Sequence, residues 1–130
     1  MRVENGVLII DLVSEILFDS GSVELNASGV DVVKKVSQGL GQIPYQVVVA
    51  GHTDNVAIGS ALRAKYPSNW ELAGARAASV IRALKESGIP GRRLVAVSFG
   101  EYNPVATNET PEGRKKNRRI EFRIVPIISK

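Results

Sequence analysis

The sequence predicts the α/β class: a two-layer α/β sandwich built on a mixed four-stranded sheet, in the order β-α-β-α-β-short α-β, with the helices on one face. Three observations predict it. Apolar runs of strand length alternate with stretches of helical spacing, which is the signature of strands and helices packed as two layers. Gly, Pro and Asn clusters punctuate the runs at the right places. The last run has period two, with Ile120, Phe122 and Ile124 on one side and Arg119, Glu121 and Arg123 on the other. Such alternation predicts one buried face and one wet face.

Val7–Val13 is the first strand, apolar on both faces. Turn residues gather at Phe18-Asp19-Ser20-Gly21-Ser22. Helical spacing follows at Leu25, Gly29, Val32, Val33, Val36 and Leu40, with Asn26 as N-cap, and Gly39, Gly41 and Pro44 end it. Tyr45–Ala50 is apolar at nearly every position, as in a central strand. Strand, helix, strand in this order predicts a right-handed parallel crossover. Asn55–Ser68 is a polar connection of a length that is often functional. Ser68 or Asn69 caps a helix reaching Ser87, closed by Gly88 with Pro90 beyond, whose apolar face collects Ala73, Ala77, Val80, Ile81 and Leu84. Arg93–Phe99 reads as the third strand, Gly100–Pro104 as an irregular turn, and Thr110–Asn117 as a short helical turn.

A length of 130 residues is one domain, 1–130, with its core from about 7 to 125. No run approaches the roughly 20 apolar residues of a membrane helix. The start lacks a signal peptide's shape, which leaves a cytosolic protein or a fragment of a longer exported one. Cysteine is absent and His52 is the single histidine. Thiol chemistry, disulfides and cysteine or histidine metal sites are thereby excluded, and no cofactor is predicted. The formal charge of +4 is concentrated between Arg114 and Arg123, a patch suited to polyanions.

The strand exit Gly51-His52-Thr53-Asp54 and the helix start Asn69–Arg76 define the candidate site. Asn69 and Arg76 are almost two turns apart, within about 20° of one another and roughly 10 Å apart along the axis. Arg76 falls at the edge of the apolar stripe, so its charge needs a partner. Two readings stay open. Arg76 forms a structural ion pair with a carboxylate such as Asp54, or the two charges are held apart for a ligand with one amino and one carboxylate group. In the second, Asp54 accepts from the ammonium and Arg76 clamps the carboxylate. His52 reads as a strand-end hydrogen-bonding residue.

Four ordered motifs carry a resemblance: Gly51-His52-Thr53-Asp54; Asn69-x-x-Leu72-x-x-x-Arg76-Ala77; Gly100-Glu101 with Pro104; and Glu112-Gly113-Arg114 with Asn117-Arg118-Arg119. From about Leu17 to Ile124 the chain resembles the OmpA-like C-terminal domain, and Tyr66–Glu71 resembles its MotB-type branch. The resemblance implies non-catalytic binding of peptidoglycan through the diaminopimelate of the stem peptide. It also implies a wall-anchoring role at the periplasmic face of the cell envelope, with a membrane tether upstream and a homodimer left open. It assigns ligand contacts to Asp54 and Arg76, places Asn69, Thr53 and Leu72 in the same site, and makes Phe18 and Asp19 a pocket-lining loop. Arg114 or Arg118 assists the carboxylate or pins a loop. Trp70 reads either as a packing anchor or as an aromatic beside a sugar-peptide cleft. The family often has serine where Ala73 stands. Gly74 follows it and should weaken the helix by about 1 kcal/mol relative to alanine.

Two other functions compete. Nucleic-acid or polyanion binding would use the basic cluster 114–123, but aromatic residues are too scarce for a base-stacking platform, and the leading reading has no nucleic-acid partner. An enzyme acting on the wall would need a cysteine nucleophile or zinc, or paired carboxylates across a glycosidic bond. Only Asp54 and Glu71 are near in sequence, and nothing pairs them, so no catalysis is predicted.

Overall fold

The computed structural model describes residues 2–40 and 44–126. Arg2–Glu4 (β1) and Val7–Val13 (β2) form an antiparallel hairpin, with Glu4 opposite Val7. The two residues between them, Asn5 and Gly6, both have positive φ (51° and 79°), the geometry that Asn-Gly supplies at a two-residue hairpin turn. This hairpin adds one strand to the four expected. Its signal is the Asn-Gly pair, which the first-strand assignment left unused.

A short helix, Ser14–Leu17 (α1), and the helix Ala27–Leu40 (α2) follow. Asn26 caps α2 as expected: its side-chain oxygen accepts from the Gly29 amide at 2.7 Å. The helix runs through Gly39, and Gly41 lies outside the described residues. Tyr45–His52 (β3) leads to a one-turn helix, Ser60–Arg63 (α3), and then to Asn69–Glu86 (α4). Ser68 is the cap of α4, accepting from the Trp70 amide at 3.2 Å, and the helix passes through Gly74 unbroken. Leu94–Gly100 (β4), Pro111–Asn117 (α5) and Arg119–Pro126 (β5) complete the chain order. Thr110 caps α5 through the Gly113 amide at 3.0 Å.

The five strands are ordered β1-β2-β5-β3-β4. β3 and β4 are parallel neighbours, whereas β5 is antiparallel to both β2 and β3. β2 and β3 therefore run in the same direction, as the crossover predicts, but β5 is inserted between them. On one face of the sheet Val47, Val49, Ile120, Phe122 and Ile124 pack with Val33, Ala77, Val80 and Leu84 of the helices into a single core. At about 25 cal/mol per Å² of apolar surface, this layer is the dominant stabilising term.

The wet face expected for β5 is not wet. Arg119 is 2% exposed and Glu121 is fully buried. Central placement of the strand brings Arg2, His52, Arg119 and Arg123 around the one carboxylate of Glu121. Arg119 and Arg123 each donate to it at 2.7 Å, and His52 Nε2 approaches it at 3.2 Å. The arginine stems roof the charge they neutralise. Burial alone would raise the Glu121 pKa, but the close approach of His52 and the hydrogen bonds from Arg123 and Arg119 overcome it and hold the group well below the usual carboxylate range. His52 is also stacked on Phe99, with ring centroids 5.0 Å apart, and neither of its buried ring nitrogens makes a hydrogen bond among the described residues, so it is a strand-end packing residue rather than the hydrogen-bonding one expected.

Candidate functional site

At its carboxyl end β3 is pinned from two sides. The ladder to β4 shifts register between Gly51 and His52, and the Thr53 amide then donates to Gly100 O at 2.9 Å. Gly51 also packs directly on α4: a Cβ there would stand 2.2 Å from Ala73 O. Ala73 itself is buried in this contact. The chain then turns at Asp54, whose Oδ1 accepts from the Val56 amide at 3.0 Å, an Asx-type turn. Asn69 closes the turn from the first residue of α4, donating to Val56 O at 3.2 Å and to Asp54 O at 3.4 Å.

The second wall comes from α1 and the loop after it. Phe18 and Asp19 approach from this side, with Asp19 accepting from Asn26 at 3.2 Å. Arg76 reaches this wall from α4: its Nε donates to Ser22 O at 3.0 Å, and its Cζ lies over the Phe18 ring, 5.2 Å from the centroid. The third wall is the loop between β3 and α4, where Val56, Ile58 and Leu62 present an apolar side. Between the walls lies a cleft of about 540 Å³.

Of the residues expected to form the site, Asp54, Arg76, Asn69, Thr53, Leu72, Phe18, Asp19 and Arg118 all line this cleft. Arg114 does not. It lies on α5 and donates to Asn108 O at 3.0 Å, pinning the loop before the helix. Arg118 is the residue that the basic cluster contributes. It bridges Asp54 and Glu15 with 2.7 Å contacts to each, and Lys115 approaches the same Glu15 at 3.6 Å. Glu15 went unrecognised in the sequence, as did the apolar wall. Ile58 and Leu62 are four residues apart inside a stretch read as polar, and that spacing was the available signal.

These contacts exclude the first reading of the charges, an ion pair between Arg76 and Asp54. Asp54 pairs with Arg118, not with Arg76. Among the described residues no carboxylate lies within ion-pair distance of Arg76. Its pKa is lowered by burial and then by the charge of Arg118, which is what an uncompensated cation beside another cation should show. The cleft thus holds carboxylates (Asp54, Glu15 and Asp19) and two guanidiniums, one of them without an anionic partner. No set of three or more potential metal-ligating side chains is present among the described residues. No described helix is long and apolar enough to cross a membrane.

Fold and cleft together define a mixed-sheet α/β domain whose charged cleft opens at the carboxyl end of β3. The chain belongs to the OmpA family, whose model matches residues 17–118. It is similar to motility protein B of Bacillus subtilis (strain 168), with 37% identity over 121 residues, covering 92% of this chain and 45% of that protein. The peptidoglycan-binding protein ArfA of Mycobacterium bovis is 33% identical over 108 residues, 82% of this chain and 31% of its own length. The chain spans less than half the length of each of these relatives. Among solved structures, a putative MotB-like protein from Desulfovibrio vulgaris superposes with a TM-score of 0.89 at 29% identity, covering 98% of this chain and 78% of that one. The cell wall anchor of the T6SS from Pseudomonas aeruginosa gives 0.83 at 33% identity, covering 93% and 82%.

Proposed function

We propose that this domain binds peptidoglycan non-covalently through the diaminopimelate of the stem peptide, and so anchors an envelope or flagellar-stator protein to the wall at the periplasmic face. The observation that carries the reading is Arg76: a partly buried guanidinium on the cleft wall with no carboxylate partner among the described residues, in a cleft also lined by Asp54, Glu15 and Asp19. A ligand with adjoining amino and carboxylate groups supplies the anion that Arg76 lacks and brings its ammonium alongside Arg118 at Asp54. Its carboxylate takes the two-pronged donor of Arg76, and its ammonium approaches Asp54. Val56, Ile58 and Leu62 supply an apolar side for the aliphatic chain between the ligand's two ends. Peptidoglycan binding by the ArfA relative and wall anchoring by the T6SS protein support the same reading. No step of catalysis is part of it.

The arginines of the basic cluster are largely committed within the fold, which disfavours a competing polyanion surface. Arg119 and Arg123 are spent on Glu121, Arg118 on Asp54 and Glu15, and Arg114 on a loop carbonyl. The test is co-sedimentation with purified sacculi. Wild-type domain should pellet with diaminopimelate-containing wall and stay soluble with wall in which lysine replaces it, because lysine lacks the second carboxylate. Asp54→Ala and Arg76→Ala, checked as folded by circular dichroism, should remain in the supernatant. Wild-type pelleting by either folded variant overturns the site.

A further inference from the structure

We propose that the exposed ring pair Trp70–Tyr102 is a saccharide subsite, receiving an N-acetylhexosamine ring of the glycan strand at the rim of the cleft. Trp70 is 46% and Tyr102 67% exposed, large fractions for aromatic rings on a domain with few of them. The rings stack with centroids 5.2 Å apart and planes 26° apart. Packing of the core does not account for them.

The pair is held in place by the backbone beneath it. Trp70 O accepts from Ser98 Oγ at 2.7 Å, and the Ser98 hydroxyl also accepts from the Gly100 amide at 3.2 Å. The indole lies against Gly100, where a Cβ would stand 3.1 Å from Trp70 Cδ2. The Tyr102 amide donates to Phe99 O at 3.1 Å, fixing the turn that carries the phenol ring. A fixed, exposed aromatic surface loses little conformational entropy when a flat ligand settles on it.

The chemistry of the surroundings selects the ligand. Aromatic faces accept the C–H face of a pyranose, whose hydroxyls then need acceptors at the rim. The segments carrying the rings, 68–73 and 98–104, contain Glu71 and Glu101 and no lysine or arginine. A nucleotide would bring phosphate against these carboxylates, whereas a neutral sugar finds acceptors in them. The platform is tied to the cleft through the backbone, although neither ring lines it. Asn69, which lines the cleft, directly precedes Trp70, and Gly100 O holds the Thr53 amide at the base of the cleft. The stem peptide is covalently joined to the glycan, so a peptide seated in the cleft brings sugar rings toward this rim. The choice of this sugar rests on the peptidoglycan reading above.

The test uses two probes separately: chitotetraose, an N-acetylglucosamine oligomer without peptide, and free meso-diaminopimelate. Trp70 is the single tryptophan, so its emission reports the platform directly. Chitotetraose should shift that emission saturably in wild type and in Asp54→Ala alike, and Tyr102→Ala should weaken the effect about fivefold, as loss of one aromatic stack implies. Calorimetry with meso-diaminopimelate should give the same affinity for Tyr102→Ala as for wild type. Unchanged Trp70 emission with chitotetraose, or the same titration in Tyr102→Ala, overturns the subsite. Emission that varies with protein concentration and ignores the sugar assigns the patch to a second copy of the chain, which overturns it too. Saccharide binding without diaminopimelate binding supports the subsite while overturning the cleft reading, so the two failures are distinguishable.

Discussion

Replacing Arg76 by methionine separates what this side chain does for a ligand from what it does for the fold. The substitution keeps an apolar stem against Phe18 and removes the charge. The folded chain then loses one charged hydrogen bond to Ser22 O, about 1.5–3 kcal/mol, and the cation–ring contact, about 0.5–1 kcal/mol. It also sheds the cost of burying a cation and the repulsion from Arg118, the two causes of the lowered Arg76 pKa. A buried polar group costs roughly 1–3 kcal/mol on the protein scale, so the terms nearly cancel. Stability measured by urea unfolding should stay within about 1 kcal/mol of wild type. Affinity should not. Removing one member of a hydrogen-bonded charge pair costs about 2–5 kcal/mol, at least roughly 30-fold in Kd for a stem peptide measured by calorimetry. An affinity within threefold of wild type would refute the carboxylate clamp. A large loss of stability with unchanged affinity would make Arg76 a structural residue after all.

Two further outcomes follow from the polar groups that the fold buries. Asn117, fully buried, accepts from the Val105 and Ala106 amides at 2.8 and 2.9 Å, and donates to Ala106 O and Asn108 Oδ1. Asn117→Ala should cost about 3 kcal/mol in urea unfolding, because it leaves several buried backbone groups unpaired, and a cost below about 1 kcal/mol would contradict that account. The His52–Glu121 pair sets an acid dependence. Burial lowers the His52 pKa from 6.5, and Glu121 is lowered from 4.5. Both groups bind fewer protons folded than unfolded, so their contribution is complete above pH 6.5 and declines as the pH falls, first through His52 and then, below 4.5, through Glu121. Urea midpoints should therefore drop steadily from about pH 7.5 to 4, and His52→Gln should flatten the upper part of that slope. A midpoint that rises on acidification would reverse the sign and refute the assignment.

Much of the site was legible because local rules govern it. A strand exit fixes Asp54, and helical phase puts Asn69 and Arg76 on one side of α4, so short-range geometry locates three of the contacts. What escaped notice depends on topology. The partner of Asp54 is Arg118, 64 residues away, and it arrives only because β5 is inserted between β2 and β3. The same insertion buries Arg119 and Glu121, whose alternation with Ile120 and Phe122 reads as solvent-facing when the strand is taken alone. Period two separates the faces of a strand but does not say whether charges on one face will satisfy each other. The wall formed by Ile58 and Leu62 was hidden by the polar residues between them.

The insertion of β5 also orders events during synthesis. The β1-β2 hairpin with α2, and the β3-α4-β4 unit, share no strand ladder with each other and meet across β5. Until residues 119–126 have left the ribosome, each half exposes a strand edge with nothing to pair with, and the cleft has walls but no Arg118 to join them. Closure of the sheet is therefore a late step built on long-range contacts, the slow kind. Half-made chains should be the aggregation-prone species, with their unpaired β2 and β3 edges exposed to one another between molecules.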